Sequence, residues 1–377
     1  MRFLHLADLH LGIRLNGYDR LPEQAVFLDF VLETVAARDV DAVVISGDIY
    51  DKATPSMDAV ALFERFFNRL KARGTVLLAV TGNHDSRRRL AYCGRILSEH
   101  GIYITACVQC PIPYVTLTDA YGPVRFYMQP FVRGSDIAPW RNEAATTAEA
   151  FSFFLSETPL DEGERNVLLA HQFFAGAASN PLRSDSERIT VGGTDRVDAG
   201  PLAVFDYAAL GHLHGAQTAG ADHVRYAGSP LMYSLSEERQ KKSMPLVTLG
   251  PKGTVEIETI PIPQTRSVRK ITGSFAAIMA DEPPSDDYVA VVLTDTETVT
   301  LPAERLRTKF PNFLSITYLR TARQQSDAVV PEAGERPDPM AIFSSLFEQS
   351  VGVAMSAAQR TVMEDVLAVT TSEEETA

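Results

Sequence analysis

The 377-residue chain predicts an α/β protein. Short apolar runs of strand length recur along it, a helix-spaced segment separates two of them, and nearly every run ends in a polar motif rather than a plain turn. Taken in order, Arg2 to Ala7 reads as a strand and is followed by Asp8-Leu-His10; Ala42 to Ser46 is followed by Gly47-Asp48-Ile-Tyr-Asp51. The spacing from about Pro55 to Lys71 predicts a helix, and Thr75 to Val80 a strand ending in Gly82-Asn83-His84-Asp85. Asn166 to Ala170 leads into His171, and the run around Tyr207 to Leu210 into Gly211-His212-Leu-His214. Polar groups at the carboxyl ends of buried strands gather on one rim, where open α/β sheets collect ligands. In Asp8-x-His10 and His212-x-His214, extended backbone carried past the strand end would turn both side chains to one face.

The gathered groups are carboxylates, imidazoles and a carboxamide, with no thiolate among them. Such donors favour manganese, iron or zinc in a working centre over a structural zinc cluster. We expect Asp8, His10 and His214 on one ion, Asn83, His171 and His212 on a second, and Asp48 bridging. Such a pair, roughly 3.5 to 4 Å apart, clamps the attacking and leaving oxygens of a phosphate ester and activates a water. His84 suits a non-ligand role, hydrogen-bonding the phosphate or protonating the leaving alkoxide. Asp51 is a candidate carboxylate to orient that imidazole or a ligand, its alternative being a simple turn residue, and Asp85 reads as the N-cap of a helix beginning at Ser86. Arg87, Arg88 and Arg89 follow the loop directly and could meet substrate phosphates. His5, His100 and His223 fall outside the set and read as structural.

These motifs resemble those of the calcineurin-like metallophosphoesterases. Within that group His5-Leu-Ala-Asp-Leu-His-Leu-Gly12, Gly17-Tyr-Asp-Arg20, Gly47-Asp-Ile-Tyr-Asp-Lys52 and Tyr226-Ala-Gly-Ser-Pro-Leu231 look like the SbcD family of nuclease subunits. The resemblance implies an α/β/β/α sandwich of two sheets, a small α/β capping domain and C-terminal helices that dock on the coiled coil of an SbcC-like ABC-type ATPase. It further implies a homodimer within a heterotetramer, two Mn2+ ions, and exonuclease and endonuclease action on DNA ends, hairpins and single strands in repair and recombination. The alternatives are a phosphatase or cyclic-nucleotide phosphodiesterase of the same chemistry, and a non-enzymatic scaffold for the ATPase. The cap and tethered helices count against the first, and the intact donor set against the second.

The chain divides into a nuclease domain at residues 1–263, closed by Pro261-Ile-Pro263, a capping domain at 264–320, a Pro-containing linker at 321–339, a helical partner-binding region at 340–369 and an acidic tail at 370–377. In the cap we read strands at Ser267 to Thr272, Tyr288 to Leu293 and Phe313 to Tyr318, with helices at Phe275 to Met279 and Pro302 to Phe310. Arg266, Arg269, Lys270, Arg305, Arg307 and Lys309 offer phosphate contacts there. Beyond the linker Met340, Ile342, Phe343, Leu346 and Phe347, then Val362, Met363, Val366 and Leu367, fall at helical spacing. Two short amphipathic helices on a tether suit helix-in-groove docking, and the last residues read as disordered. Val60, Leu62, Phe63, Phe66, Phe67 and Leu70 give the earlier helix a wider apolar surface than one packed face needs, which favours a dimer there.

The net charge of -13 argues against tight DNA binding by this chain alone. Residues 324–377 account for most of it, with ten acids against two bases, so the body is near neutral. Three cysteines and no apolar run long enough to span a membrane predict a cytoplasmic protein; Cys107-x-x-Cys110 lacks the second pair that a zinc knuckle needs.

Overall fold

The computed structural model describes all residues except 143–144, 177–180, 182–183, 186–195, 320–338, 352–353 and 375–377. Its core is two six-stranded sheets packed face to face. The first runs Val255–Pro261, Ser243–Leu249, Arg2–Leu6, Ala42–Ser46, Val76–Val80, Ile102–Thr105, the last four mutually parallel. The second runs Gln217–Ala219, Ala221–Tyr226, Tyr207–Gly211, Arg165–His171, Gly122–Gln129, Tyr114–Asp119, parallel in its middle and antiparallel at both edges.

The apolar runs are continuous rather than alternating because both faces of these strands are covered. Phe3, Val44 and Leu78 point inward against Phe126, Val167, Leu169 and Tyr207 of the facing sheet, where the Phe3 ring stands edge-on to Phe126 and Tyr207 at 5.5 and 5.6 Å. Their neighbours Leu4, Val43, Ile45 and Leu77 point the other way, into helices Leu21–Ala37 and Met57–Ala72. On the far side Leu168, Ala170 and Leu210 pack on Phe151 and Phe154 of helix Thr147–Ser156. Each of the larger side chains contributes roughly 1.5–3 kcal/mol on burial, and the result is the four-layer α/β/β/α sandwich.

Helix Met57–Ala72 starts where Ser56 caps the Ala59 N–H. Its wide apolar surface is consumed within the chain: Leu62, Phe63, Phe66 and Leu70 are buried, and Val60 and Phe67 pack against the same core. The helix meets both the sheet and helix Leu21–Ala37, so one chain needs the full width, and those six residues give no support to a dimer.

The cap is a parallel sheet of Val268–Gly273, Tyr288–Leu293 and Phe313–Tyr318 with helices Phe275–Asp281 and Pro302–Lys309. It is clasped to the sandwich around Arg20, which is fully buried, contacts Glu23, donates to the Met232 carbonyl at 2.8 Å and lies 4.5 Å over the Tyr288 ring. Glu23 in turn accepts from Arg266 at 3.0 Å. The cap's cations are partly committed: Arg269 pairs with Asp287, and Lys309 donates to the carbonyls of Ile278 and Met279, while Lys270, Arg305 and Arg307 are exposed.

The expected linker at 321–339 lies almost wholly outside the described residues. Helices Pro339–Val351 and Ala357–Glu374 follow; the second runs through Glu374, so residues 370–374 are helical where a disordered tail was expected. Among the described residues no helix is long and apolar enough to cross a membrane.

Candidate metal centre

The donors converge at the carboxyl ends of five strands, three from the first sheet and two from the second. The route differs from the expected strand alternation. Strand Arg2–Leu6 ends before the motif, and Asp8, His10 and Asp48 sit at φ of +51°, +43° and +49°, with His212 at +106°. Backbone of this kind is costly for residues with a Cβ and persists only where its surroundings enforce it. Here the Asp8 and His10 N–H groups donate to the carbonyls of Gly47 and Asp48 at 3.1 and 2.9 Å, tying the first two motifs together. Gly47 is required in the tie: at φ +89°, a Cβ on it would lie 2.1 Å from His171 Nδ1.

Three donor groups form, each with ligand atoms within 4.8 Å of one another: Asp8, His10 and His214; Asp8, Asp48 and His171; His10, Asp48 and His84. His10 Nε2 faces His214 Nε2 at 3.2 Å. On the other side His171 Nε2 and His212 Nδ1 lie 3.0 and 3.1 Å from Asn83 Oδ1. Asp48 sits between, with Oδ2 3.3 Å from His171 Nε2 and 3.7 Å from His10 Nε2. Its Oδ1 accepts the His84 N–H at 2.8 Å, so a single oxygen, Oδ2, faces both pockets. Gly82 permits this, since a Cβ there would stand 2.1 Å from Asp48 Oδ1.

Hydrogen bonds set which nitrogen each ring offers. His171 Nδ1 is 2.7 Å from the Ser46 carbonyl, which leaves Nε2 for the centre. His214 Nδ1 faces Glu237 Oε1 at 3.2 Å. His84 Nδ1 is 2.8 Å from the Asp51 backbone carbonyl, so the main chain of Asp51 orients His84, while its carboxylate lies 4.0 Å from Nδ1 of the candidate ligand His10. Asp85 is not an N-cap. Ser86 holds that position, and the buried Asp85 carboxylate accepts the N–H groups of Ile49, Tyr50 and Gly82, pinning one motif to the next. Arg87 is likewise engaged, bidentate to Asp136 at 2.7 Å and bonded to the Phe131 carbonyl, while Arg88 and Arg89 are exposed.

The electrostatics favour an added cation. Burial pushes the Asp8 carboxyl up to about 7 and the His212 imidazole down to about 3. Burial also opposes charge on His171, yet Asp48 and then Asp8 outweigh it and raise that imidazole to about 9. Two buried carboxylates thus draw a proton onto His171 to supply positive charge, and a divalent ion would supply the same charge without the proton. The oxygen and nitrogen donor set fits two such ions.

The calcineurin-like phosphoesterase model matches residues 1–214, more than half of the chain, and the chain belongs to that family. Membership implies a metal-dependent hydrolase. Residues 264–351 match a second model, the SbcD_C or Type 5 capsule protein repressor C-terminal domain, which makes the chain an SbcD-like metallophosphoesterase. Solved structures similar to it include a phosphopantetheinyl hydrolase from Mycobacterium tuberculosis, 18% identical over 68% of this chain and 95% of that one with a TM-score of 0.36. The protein TT1561 of Thermus thermophilus is 12% identical over 68% and 98%, TM-score 0.39. A dimetal phosphatase from Danio rerio is 15% identical over 70% and 99%, TM-score 0.39.

Other residues that shape the centre carried no motif. Gln24 donates to the carbonyls of Leu9 and His10 at 2.9 and 2.8 Å and accepts from Gly12 N–H. Tyr233 donates to Leu9 O at 2.6 Å and sets its ring edge-on to His10. The helical face of Leu21–Ala37 could have exposed Gln24 as a buried polar among Phe27, Leu28 and Val31; Tyr233 and Glu237 gave no such signal.

Proposed function

We propose that this chain is a manganese-dependent DNA nuclease, the SbcD-like subunit working with an SbcC-like ATPase on DNA ends, hairpins and single strands. The observation that carries the reading is the pairing of the phosphoesterase donor set with a second matched region, residues 264–351, that starts at the cap and ends in the first C-terminal helix. Bound divalent ions would polarise the phosphate and lower the pKa of a water. Asp8, His10 and His214 would hold one and Asn83, His171 and His212 the other, with Asp48 placed between the two groups. Fixed by Asp51 O, the His84 ring keeps Nε2 for the phosphate or for delivering a proton to the leaving alkoxide. Arg88 and Arg89 receive flanking phosphates, whereas Arg87 braces the loop through Asp136.

The partner reading draws on the C-terminal helices. Phe343, Phe347, Met355 and Met363 line one groove between them, yet Ile342, Leu346, Val362 and Val366 remain about half exposed or more. Such faces suit a coiled-coil partner, within an assembly of two copies of each chain.

The experiment is cleavage of hairpin-ended and single-stranded DNA by this chain in Mn2+, with His84→Ala and Asp48→Ala beside it. Loss in both variants supports the nuclease. Hydrolysis of a small aryl phosphodiester with both DNAs left intact, also after addition of the partner ATPase, would overturn the DNA reading and leave the phosphoesterase standing.

A further inference from the structure

His171 and His84 are steered by backbone carbonyls; His214 is steered by a carboxylate. Glu237 is wholly buried at the end of the short turn Leu235–Glu237. Its Oε1 lies 3.2 Å from His214 Nδ1, and its Oε2 accepts from Lys242 Nζ at 2.6 Å and Ser229 Oγ at 3.3 Å. Lys242, also buried, donates in addition to the His214 carbonyl at 3.1 Å, to Ser229 Oγ at 2.7 Å and to Gln240 Oε1 at 2.8 Å. The lysine therefore grips both the carboxylate that addresses the imidazole and the main chain that carries it.

Burying an ion pair gives little net stability, since desolvation offsets most of the attraction. A pair kept only for packing also has no reason to aim its second oxygen at a ring whose far nitrogen meets His10 and Asp8. We propose that Glu237 is a positioning residue for His214, with Lys242 as its clamp. The carboxylate holds the proton on Nδ1, which keeps the Nε2 lone pair directed into the Asp8–His10–His214 pocket and raises its donor strength. The effect falls on that pocket, because His214 is the ring that Glu237 addresses, whereas His171 takes its orientation from the Ser46 carbonyl. The proposal rests on the reading of Asp8, His10 and His214 as one ion's ligands.

The test is Mn2+ titration of the full chain, with free Mn2+ followed by its EPR signal, for wild type, Glu237→Gln and His214→Ala, with thermal melts alongside. Expected are two sites in wild type, one lost in His214→Ala, and that same one weakened about 10- to 100-fold in Glu237→Gln while the other keeps its affinity. Should wild type bind fewer than two ions, or His214→Ala bind as wild type does, the underlying ligand reading fails. If His214→Ala loses a site that Glu237→Gln retains at full strength, or if Glu237→Gln weakens both sites alike, the positioning role fails alone. A measurement on the unmutated chain covers a variant that does not fold. With labelled imidazoles, metal-free and at alkaline pH, the His214 ring, assigned through its bonded carbon and nitrogen resonances in the wild-type chain, should report its proton on Nδ1; a proton on Nε2 overturns the proposal.

Discussion

The sandwich core and the C-terminal helices use the same amino acids at the same helical spacing to opposite ends. On helix Met57–Ala72 the residues Leu62, Phe63, Phe66 and Leu70 are buried by the chain's own sheet and neighbouring helix. On Pro339–Val351 and Ala357–Glu374, Ile342, Leu346 and Val362 stay 53%, 56% and 64% exposed. An apolar stripe therefore announces that something will cover it, and the surroundings decide whether the cover is intramolecular. The consequence is a division of labour: the sandwich should hold the chemistry without a partner, and the helices should hold the partner without affecting the chemistry.

The hardest test of that division is Asp48→Ala. Removing the carboxylate that faces both pockets should cut hydrolysis of an aryl phosphodiester by about a thousandfold or more, with partner capture in a pull-down unchanged; a chain that lost both would join the two regions. Next, Phe66→Ala should destabilise the sandwich by about 3–5 kcal/mol in urea unfolding, because a fully buried ring leaves a cavity; a loss below about 1 kcal/mol would mean the helix face is less committed than its burial indicates. Leu346→Asp sharpens the contrast from the other side. It should leave thermal stability within about 0.5 kcal/mol and diester hydrolysis at wild-type level, but weaken binding of the proposed ATPase partner by about 2 kcal/mol, read by calorimetry.

The smallest effect concerns pH. His171 is drawn up to about 9 by Asp48 and Asp8, so near neutrality the metal-free ring carries a proton that must leave before Nε2 can ligate. Metal binding should thus release protons, and affinity should rise as pH approaches about 9 and level off above it. Calorimetry in buffers of differing ionisation enthalpy measures the release; affinity flat across that range would contradict the sign.

How far the sequence could be read follows from what each residue does. Ala42–Ser46 and Tyr288–Leu293 were legible because strands buried on both faces have to be apolar throughout, and the donors because chemistry confines them to few residue types. Illegible were features that depend on a third dimension. The left-handed backbone at Asp8 and His10 is enforced by Gly47 and Asp48, about forty residues away. Asp85 looks like any helix cap until the N–H groups of Ile49 and Tyr50 are seen to converge on it. Arg87 belongs to a run of three arginines, and only the position of Asp136 separates it from its neighbours. The width of the Met57–Ala72 stripe was readable, but the two elements that fill it were not.

One turn of helix serves both the cap and the ligand loop. Glu23 and Gln24 are consecutive in the first turn of helix Leu21–Ala37, yet they face different tasks: Glu23 grips Arg266 of the cap, and Gln24 grips the carbonyls of Leu9 and His10. Consecutive helical residues are displaced by only about 1.5 Å along the axis, so a single helical turn carries the cap on one side chain and a candidate ligand loop on the next. A substitution that shifts this turn is therefore felt twice, at the Arg266 contact and at the carbonyls that seat His10.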